Sequence, residues 1–136
     1  MNNDEKKELN SVINSGWFTE AIKTRQFEKM IADFVGVKYA WAVTSGTTAL
    51  YVGLKALGVG RGDEVIVPDL TFAAGPNSVE AIGAIPILVD IEQDSLNIDL
   101  KKIKQSITKR TRAIMPVDFN GRAVDIKNIT ELANQH

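Results

Sequence analysis

The chain contains no cysteine and a single histidine among its 136 residues. The absence of cysteine excludes disulfide bonds, cysteine-ligated zinc and a thiol nucleophile, and it carries no information about compartment. The histidine, His136, is the last residue, where we expect a solvated side chain rather than a catalytic one. The sequence therefore predicts no metal site.

Neither sign of charge is in surplus, and long apolar runs are absent. Lysine and arginine total 16 against 17 acidic residues, so no basic surface is indicated for nucleic acid. Residues 1–8 are polar and charged, without the apolar core of a secretion signal, and no run has the length of a membrane span. We expect no nucleic-acid partner and no membrane partner, with the cytoplasm as the default location.

The apolar residues that are present, 44% of the chain, alternate between helical and strand spacing. Helices are expected over residues 2–13, 25–35, 47–57, within 71–84, 100–107 and from 125 onward. Strands are expected over residues 39–43, 64–68, 85–91 and 111–117. This alternation predicts an α/β fold, a three-layer arrangement with a parallel-type sheet and helices on both faces.

Two segments carry more specific expectations. The helix at 47–57 is apolar nearly all round, so we expect it to be buried. Trp17 and Phe18 form an aromatic pair in a loop, which we interpret as a hydrophobic plug that holds an arm down.

The turn from Thr44 to Thr48 is the strongest candidate for a binding site. Gly46 lets the backbone approach a ligand closely, and the N–H groups of Thr47 and Thr48 begin a helix with no partners behind them. Free donors and the helix dipole together favour a phosphate. Ordinary helix capping explains the same residues, and on this stretch alone it is the favoured interpretation, so the phosphate site depends on the rest of the chain.

The loops after three of the expected strands should meet at one edge of the sheet. They are residues 45–48, 69–72 and 118–121. In parallel sheets of this kind, ligands bind beyond the carboxyl ends of the strands. We therefore expect the functional site at that edge.

Seven motifs in unbroken order, from about residue 15 to the last residue, together resemble the pyridoxal-phosphate-dependent nucleotide-sugar aminotransferases of the DegT/DnrJ/StrS type. They are Gly16-Trp17-Phe18-Thr19, Thr44-Ser45-Gly46-Thr47-Thr48-Ala49-Leu50, Gly62-Asp63-Glu64-Val65-Ile66-Val67-Pro68, Thr71-Phe72, Gly83-Ala84, Pro86 with Val89-Asp90, and Thr111-Arg112-Ala113-Ile114.

The resemblance implies an aspartate-aminotransferase-like fold of type I and a pyridoxal 5'-phosphate cofactor. Residues 1–23 would be the amino-terminal arm, and residues 24–136 an incomplete cofactor-binding large domain. The family's Ser-Gly-Thr turn holds the cofactor phosphate, which maps onto Gly46, Thr47 and Thr48. The family's stacking aromatic residue maps onto Phe72, which would restrain the pyridine ring through apolar contact.

The resemblance also implies that catalytic residues are missing. Family members supply the Schiff-base lysine and the carboxylate at the pyridine nitrogen from segments that follow the part matched here. Lys55 lies in the expected buried helix, and the lysines at 101, 102 and 104 lie on a solvated face, so none is a substitute. Asp118 stands where many relatives carry histidine, while Asp90 is expected to form a turn.

Three functions remain open at this point. The chain is either the amino-terminal fragment of an aminotransferase, inactive alone, or a non-catalytic module that binds cofactor or oligomerises, or a fragment of a related sugar dehydratase. For the first, the implied partners are a keto-sugar nucleotide and an amino-acid donor, in a homodimer. The helix at the end carries no cap, which suggests a longer polypeptide.

Overall fold

The computed structural model describes residues 2–19 and 21–136 and has two compact units, Met1–Val43 and Thr44–His136. Its helices are α1 (Asn3–Ser15), α2 (Ile22–Val35), α3 (Gly46–Ala56), α4 (Ala74–Ala81), α5 (Leu100–Ser106) and α6 (Ile126–Ala133). Its strands are β1 (Glu64–Pro68), β2 (Ile85–Val89) and β3 (Thr111–Ile114), and a 3-10 turn spans Phe119–Gly121. In this part of the chain, no helix is long and apolar enough to cross a membrane.

The first unit contains the helices α1 and α2. Asn2 caps α1 through a capping box with Glu5, and Gly16 ends it with a φ of 69°. Lys23 in α2 forms an ion pair with Glu8 in α1. Every residue of α1 is at least partly exposed.

The aromatic pair that follows α1 is not a plug. Trp17 is 61% exposed and Phe18 is 71% exposed. Because α1 itself contributes no buried residue, it offers the two rings no core to pack into. The expectation of a hydrophobic plug is therefore wrong for this chain.

The helix α2 buries a carboxylate and a small side chain instead of its large apolar side chains. Glu28 and Ala32 are buried, whereas Phe27, Met30 and Phe34 are 56%, 68% and 89% exposed. The Glu28 carboxylate accepts hydrogen bonds from the Ala42 N–H at 2.9 Å and from the Arg25 guanidinium at 2.7 Å. Glu28 thus holds an extended segment against the helix.

The strand expected at residues 39–43 does not form. Within the described part of the chain, this extended segment pairs with no other strand. An extended segment without a lateral backbone partner cannot complete a ladder. A side-chain contact replaces the ladder here, since the carboxylate of Glu28 takes the Ala42 N–H.

The second unit is built on a three-stranded parallel sheet in the order β2-β1-β3. The central strand is fully enclosed: Val65, Ile66 and Val67 are each 0% exposed. One core cluster lies on the α3 and α4 side of the sheet, around Val65 and Val67. The other lies on the α5 and α6 side, around Ile66. Helices thus cover both faces, which confirms the predicted three-layer α/β arrangement.

The helix α3 is less buried than its sequence suggested. It buries Leu54, whereas Tyr51, Val52 and Leu57, just after its end, are 37%, 47% and 74% exposed. The expectation of a helix buried all round is wrong for this chain, because α3 packs against α4 and the sheet on one side.

Candidate functional site

The turn before α3 is both a cap and an open helix end. Ser45 Oγ accepts a hydrogen bond from the Thr48 N–H at 3.1 Å, and the Ser45 carbonyl accepts from the Ala49 N–H at 3.0 Å. The hydroxyls of Ser45 and Thr48 are 3.0 Å apart. The capping interpretation therefore describes Ser45 and Thr48 well. The expectation of an unpartnered N–H at Thr48 is wrong, because Ser45 Oγ accepts its hydrogen bond.

The N–H groups of Gly46 and Thr47 are different. Neither has a hydrogen-bond partner among residues 2–19 and 21–136. Both residues are exposed, and a Cβ built on Gly46 would meet nothing within 4 Å. Two donors at the positive end of a helix, with open space in front of them, suit an anion such as a phosphate group.

The position of this turn follows from the lengths of the elements. Residues 57–63 join the end of α3 to the start of β1, and Leu54 shares a core cluster with Val65. The 11 residues of α3 and the 5 residues of β1 both span about 16 Å. The first turn of α3 therefore lies level with the carboxyl ends of the strands.

Phe72 lies in the loop that follows β1 and is 81% exposed. The loop is fixed at both ends: the Asp69 N–H donates to the Val89 carbonyl at 2.9 Å, and the Phe72 carbonyl accepts from the Gly75 N–H at 3.2 Å. A ring held on such a loop but left in solvent is available to stack on a ligand. Phe72 is thus not a core residue.

The segment after β3 lies beside the loop that carries Phe72. A Cβ built on Gly75 would stand 3.3 Å from Val67 Cγ1 in β1 and 3.6 Å from Met115 Sδ, one residue past β3. Because β1 and β3 are parallel neighbours, their carboxyl ends share one edge. The expected grouping of residues 69–72 and 118–121 at this edge agrees with the structure.

The loop after β3 depends on a residue that the sequence did not single out. Asn97 is 7% exposed and bonds through both side-chain atoms to residues 119–123. Asp118 is exposed, and its Oδ1 accepts a hydrogen bond from the Val124 N–H at 2.9 Å. No local spacing could have identified Asn97, because its partners lie more than 20 residues away.

The remaining ionisable candidates do not form a catalytic group at this edge. Lys55 lies in the last turn of α3, at the opposite end from Gly46. The Asp90 carboxylate accepts from the Ile91 N–H at 2.8 Å, and its carbonyl accepts from the Asp99 N–H at 3.1 Å. His136 is exposed. The described ranges contain no cluster of three or more metal-ligating side chains.

Comparison with known proteins places this arrangement in a family. The model of the DegT/DnrJ/EryC1/StrS aminotransferase family matches residues 1–136. The spore coat polysaccharide biosynthesis protein SpsC of Bacillus subtilis (strain 168) is 44% identical over 133 residues, covering 98% of this chain and 34% of SpsC. GDP-perosamine synthase of Caulobacter vibrioides is 50% identical over 111 residues, covering 82% of this chain and 30% of the synthase.

A solved structure agrees with these matches. Spr1654 from Streptococcus pneumoniae, known in PMP-form and PLP-form, superposes with a TM-score of 0.94 at 32% identity, covering 99% of this chain and 34% of that one. The chain spans about a third of the length of the relatives it matches. The matches confirm the predicted fold. The chain belongs to the DegT/DnrJ/EryC1/StrS aminotransferase family.

Proposed function

We propose that this chain supplies the amino-terminal, cofactor-binding part of an aminotransferase that moves an amino group from an amino acid to a keto-sugar nucleotide. The names of SpsC and GDP-perosamine synthase support a sugar-related substrate. Within the proposal, residues 1–23 act as an arm and residues 24–136 as part of the large domain. The complete enzyme acts as a cytoplasmic homodimer.

The observation that carries this proposal is the pair of unpartnered N–H groups on Gly46 and Thr47 in the described structure. They match the chemistry of a phosphate, which needs several donors and positive potential. The open space above Gly46 lets the phosphate approach the backbone. Phe72 stands at the same edge with its ring exposed, where it would restrain a flat heterocycle. The residues present fit pyridoxal phosphate.

The chain's own residues bind and orient rather than react. When bound, pyridoxal phosphate supplies a ring that withdraws electrons from the carbon next to the reacting nitrogen. Gly46, Thr47 and Thr48 would hold its phosphate, the first two through their N–H groups, and Phe72 would cover its ring and keep water from one face. The lysine amine and the carboxylate for the ring nitrogen come from other segments, so the chain by itself does not turn over substrate.

Two glycine-to-alanine substitutions in α3, made separately, test the phosphate site. Gly46→Ala places a methyl group where the phosphate approaches, so we expect about a tenfold loss of affinity for both pyridoxal phosphate and inorganic phosphate. Gly53→Ala is the matched control: it makes the same change in the same helix, with nothing within 4 Å of the added Cβ. Equilibrium dialysis measures both. A Gly46→Ala chain that binds like the unsubstituted chain would contradict the proposal.

A second pair of variants separates the ring from the phosphate. Phe72→Ala should weaken binding of pyridoxal phosphate and leave inorganic phosphate unaffected, because Phe72 contacts the ring alone. Phe34→Ala removes another highly exposed phenylalanine, 89% exposed, and should change neither affinity. Equal losses for the two ligands in Phe72→Ala would show that the aromatic side chain has no role in holding the ring.

A further inference from the structure

Asn97 joins two loops at the edge of the sheet. Its side-chain amide donates to the Arg122 carbonyl at 3.1 Å and to the Ala123 carbonyl at 3.2 Å. Its Oδ1 accepts from the Phe119 N–H at 3.2 Å. Since Asn97 is 7% exposed, a single buried amide donates to two backbone carbonyls of this loop and accepts from one backbone N–H.

The side chain of Arg122 also bonds to the loop that contains Asn97. Its Nη1 donates to the Asp94 carbonyl at 3.2 Å and to the Ser95 carbonyl at 3.4 Å. We call these five hydrogen bonds, between residues 94–97 and residues 119–123, the Asn97–Arg122 clamp. It ties the turn that follows β2 to the loop that follows β3.

Backbone strain is confined to the two segments that the clamp joins. In residues 2–19 and 21–136, the non-glycine residues with positive φ are Leu96 at 60° and Asn120 at 52°. A left-handed backbone conformation costs a non-glycine residue on the order of 1 kcal/mol. It persists only where surrounding contacts stabilise it. The clamp supplies those surroundings, because it brackets both residues.

The clamped loop stands at the ligand edge. Residues 118–121 follow β3, the parallel neighbour of β1, and the Phe72 loop follows β1. At that edge, Met115 follows β3 and Gly75 follows the Phe72 loop, and the two lie close enough that a Cβ at Gly75 would be 3.6 Å from Met115 Sδ. A shift of the loop after β3 therefore changes the space beside Phe72.

We propose that Asn97 is a positioning residue: through the Asn97–Arg122 clamp, it holds residues 118–121 as a wall beside the cofactor ring. Asn97 does not touch the ligand. Asn120, which is exposed and has a φ of 52°, lies within the segment that the Asn97 amide holds on both sides. This inference rests on the proposed function, since it assigns the ring of pyridoxal phosphate as the group that the wall contacts.

The experiment compares two ligands in the full chain. Asn97→Asp keeps the size of the side chain and the acceptor for Phe119, but it sets a carboxylate oxygen against two carbonyls. We expect pyridoxal phosphate to bind about tenfold more weakly, with inorganic phosphate unchanged, because Gly46 and Thr47 lie outside the clamp. Trypsin should also cleave faster after Arg122, measured by mass spectrometry. Asn10→Asp, at an exposed position in α1, is the matched control.

A second variant protects the test against misfolding. Arg122→Gln removes the two return bonds from an exposed side chain, and we expect a smaller loss, about threefold, for pyridoxal phosphate alone. Parallel losses for both ligands in both variants would overturn the positioning role, as would unchanged affinity despite faster cleavage. An unsubstituted chain that binds no pyridoxal phosphate would instead overturn the proposed function.

Discussion

Glu28 is a buried carboxylate on a helix that exposes its phenylalanines. The hydrogen bond from the Ala42 N–H, and then that from the Arg25 side chain, lower the pKa of Glu28 below its ordinary value of 4.5. Arg25 in turn lies over Trp41, with its guanidinium carbon 5.7 Å from the ring centroid. The carboxylate thus links α2 to residues 41 and 42 through its charged form.

This pKa shift predicts a pH dependence of stability. Because the folded state lowers the pKa, the ionised Glu28 stabilises the fold fully above pH 4.5, and this contribution is lost as the pH falls through the folded-state pKa. Glu28→Gln should therefore lower the urea midpoint at neutral pH, and the difference from the unsubstituted chain should shrink below pH 4.5. A difference that stays constant down to pH 3 would contradict this role.

Residue-level expectations succeeded where the signal was local. The glycine and hydroxyl-bearing residues at 45–48 predicted the start of a helix, and Ser45 caps the amino terminus of α3. Glu28 and Asn97 could not be identified in the same way. Each side chain is buried because it forms hydrogen bonds with a backbone segment that is distant in the sequence. The residues next to Glu28 and Asn97 give no indication of those partners.

Among the elements, β1 was the easiest to predict from sequence. Its β-branched run, closed by proline, predicted residues 64–68, and the strand spans Glu64–Pro68. The run at 39–43 has a similar apolar character but forms no strand in the described structure. The composition of a segment indicates that it can form a β-strand, but the strand forms only when another strand lies beside it to accept and donate backbone hydrogen bonds. The composition of α3 likewise predicted complete burial, but other elements of the described structure cover only part of its apolar surface.

The packing of β1 gives a prediction for a single methylene group. Ile66 is 0% exposed at the centre of the cluster on the α5 and α6 side. Ile66→Val should lower the free energy of unfolding by about 1 kcal/mol, since it leaves a small cavity. Ile126→Val, at a position in α6 that is 58% exposed, should cost much less. Chemical denaturation of the two variants side by side measures the difference, and equal costs would show that the β1 core is loosely packed.

At the scale of the molecule, much apolar surface is uncovered. Leu57, Leu88 and Phe34 are 74%, 58% and 89% exposed. The sheet also ends in β2 and β3, each paired along one side in the described chain. Exposed apolar patches and free strand edges favour self-association.

We therefore predict that the isolated chain is marginally stable and associates as its concentration rises. Light scattering from micromolar to millimolar concentrations should show growing particles. Leu57→Lys should reduce that growth without loss of stability, because the side chain is already largely in solvent. A monomer with a sharp, cooperative thermal transition would contradict the prediction.

Gly75 sets a limit on how this protein can be altered. A Cβ at residue 75 would lie 3.3 Å from Val67 Cγ1, a tight contact that requires a shift of a few tenths of an ångström, and a larger side chain would require more. A mutant library meant to change ligand preference should accordingly randomise positions 72 and 120, whose side chains are exposed, and leave position 75 as glycine in every member. Diversity would then fall on two exposed loop positions and spare the glycine at which α4 packs closely against β1.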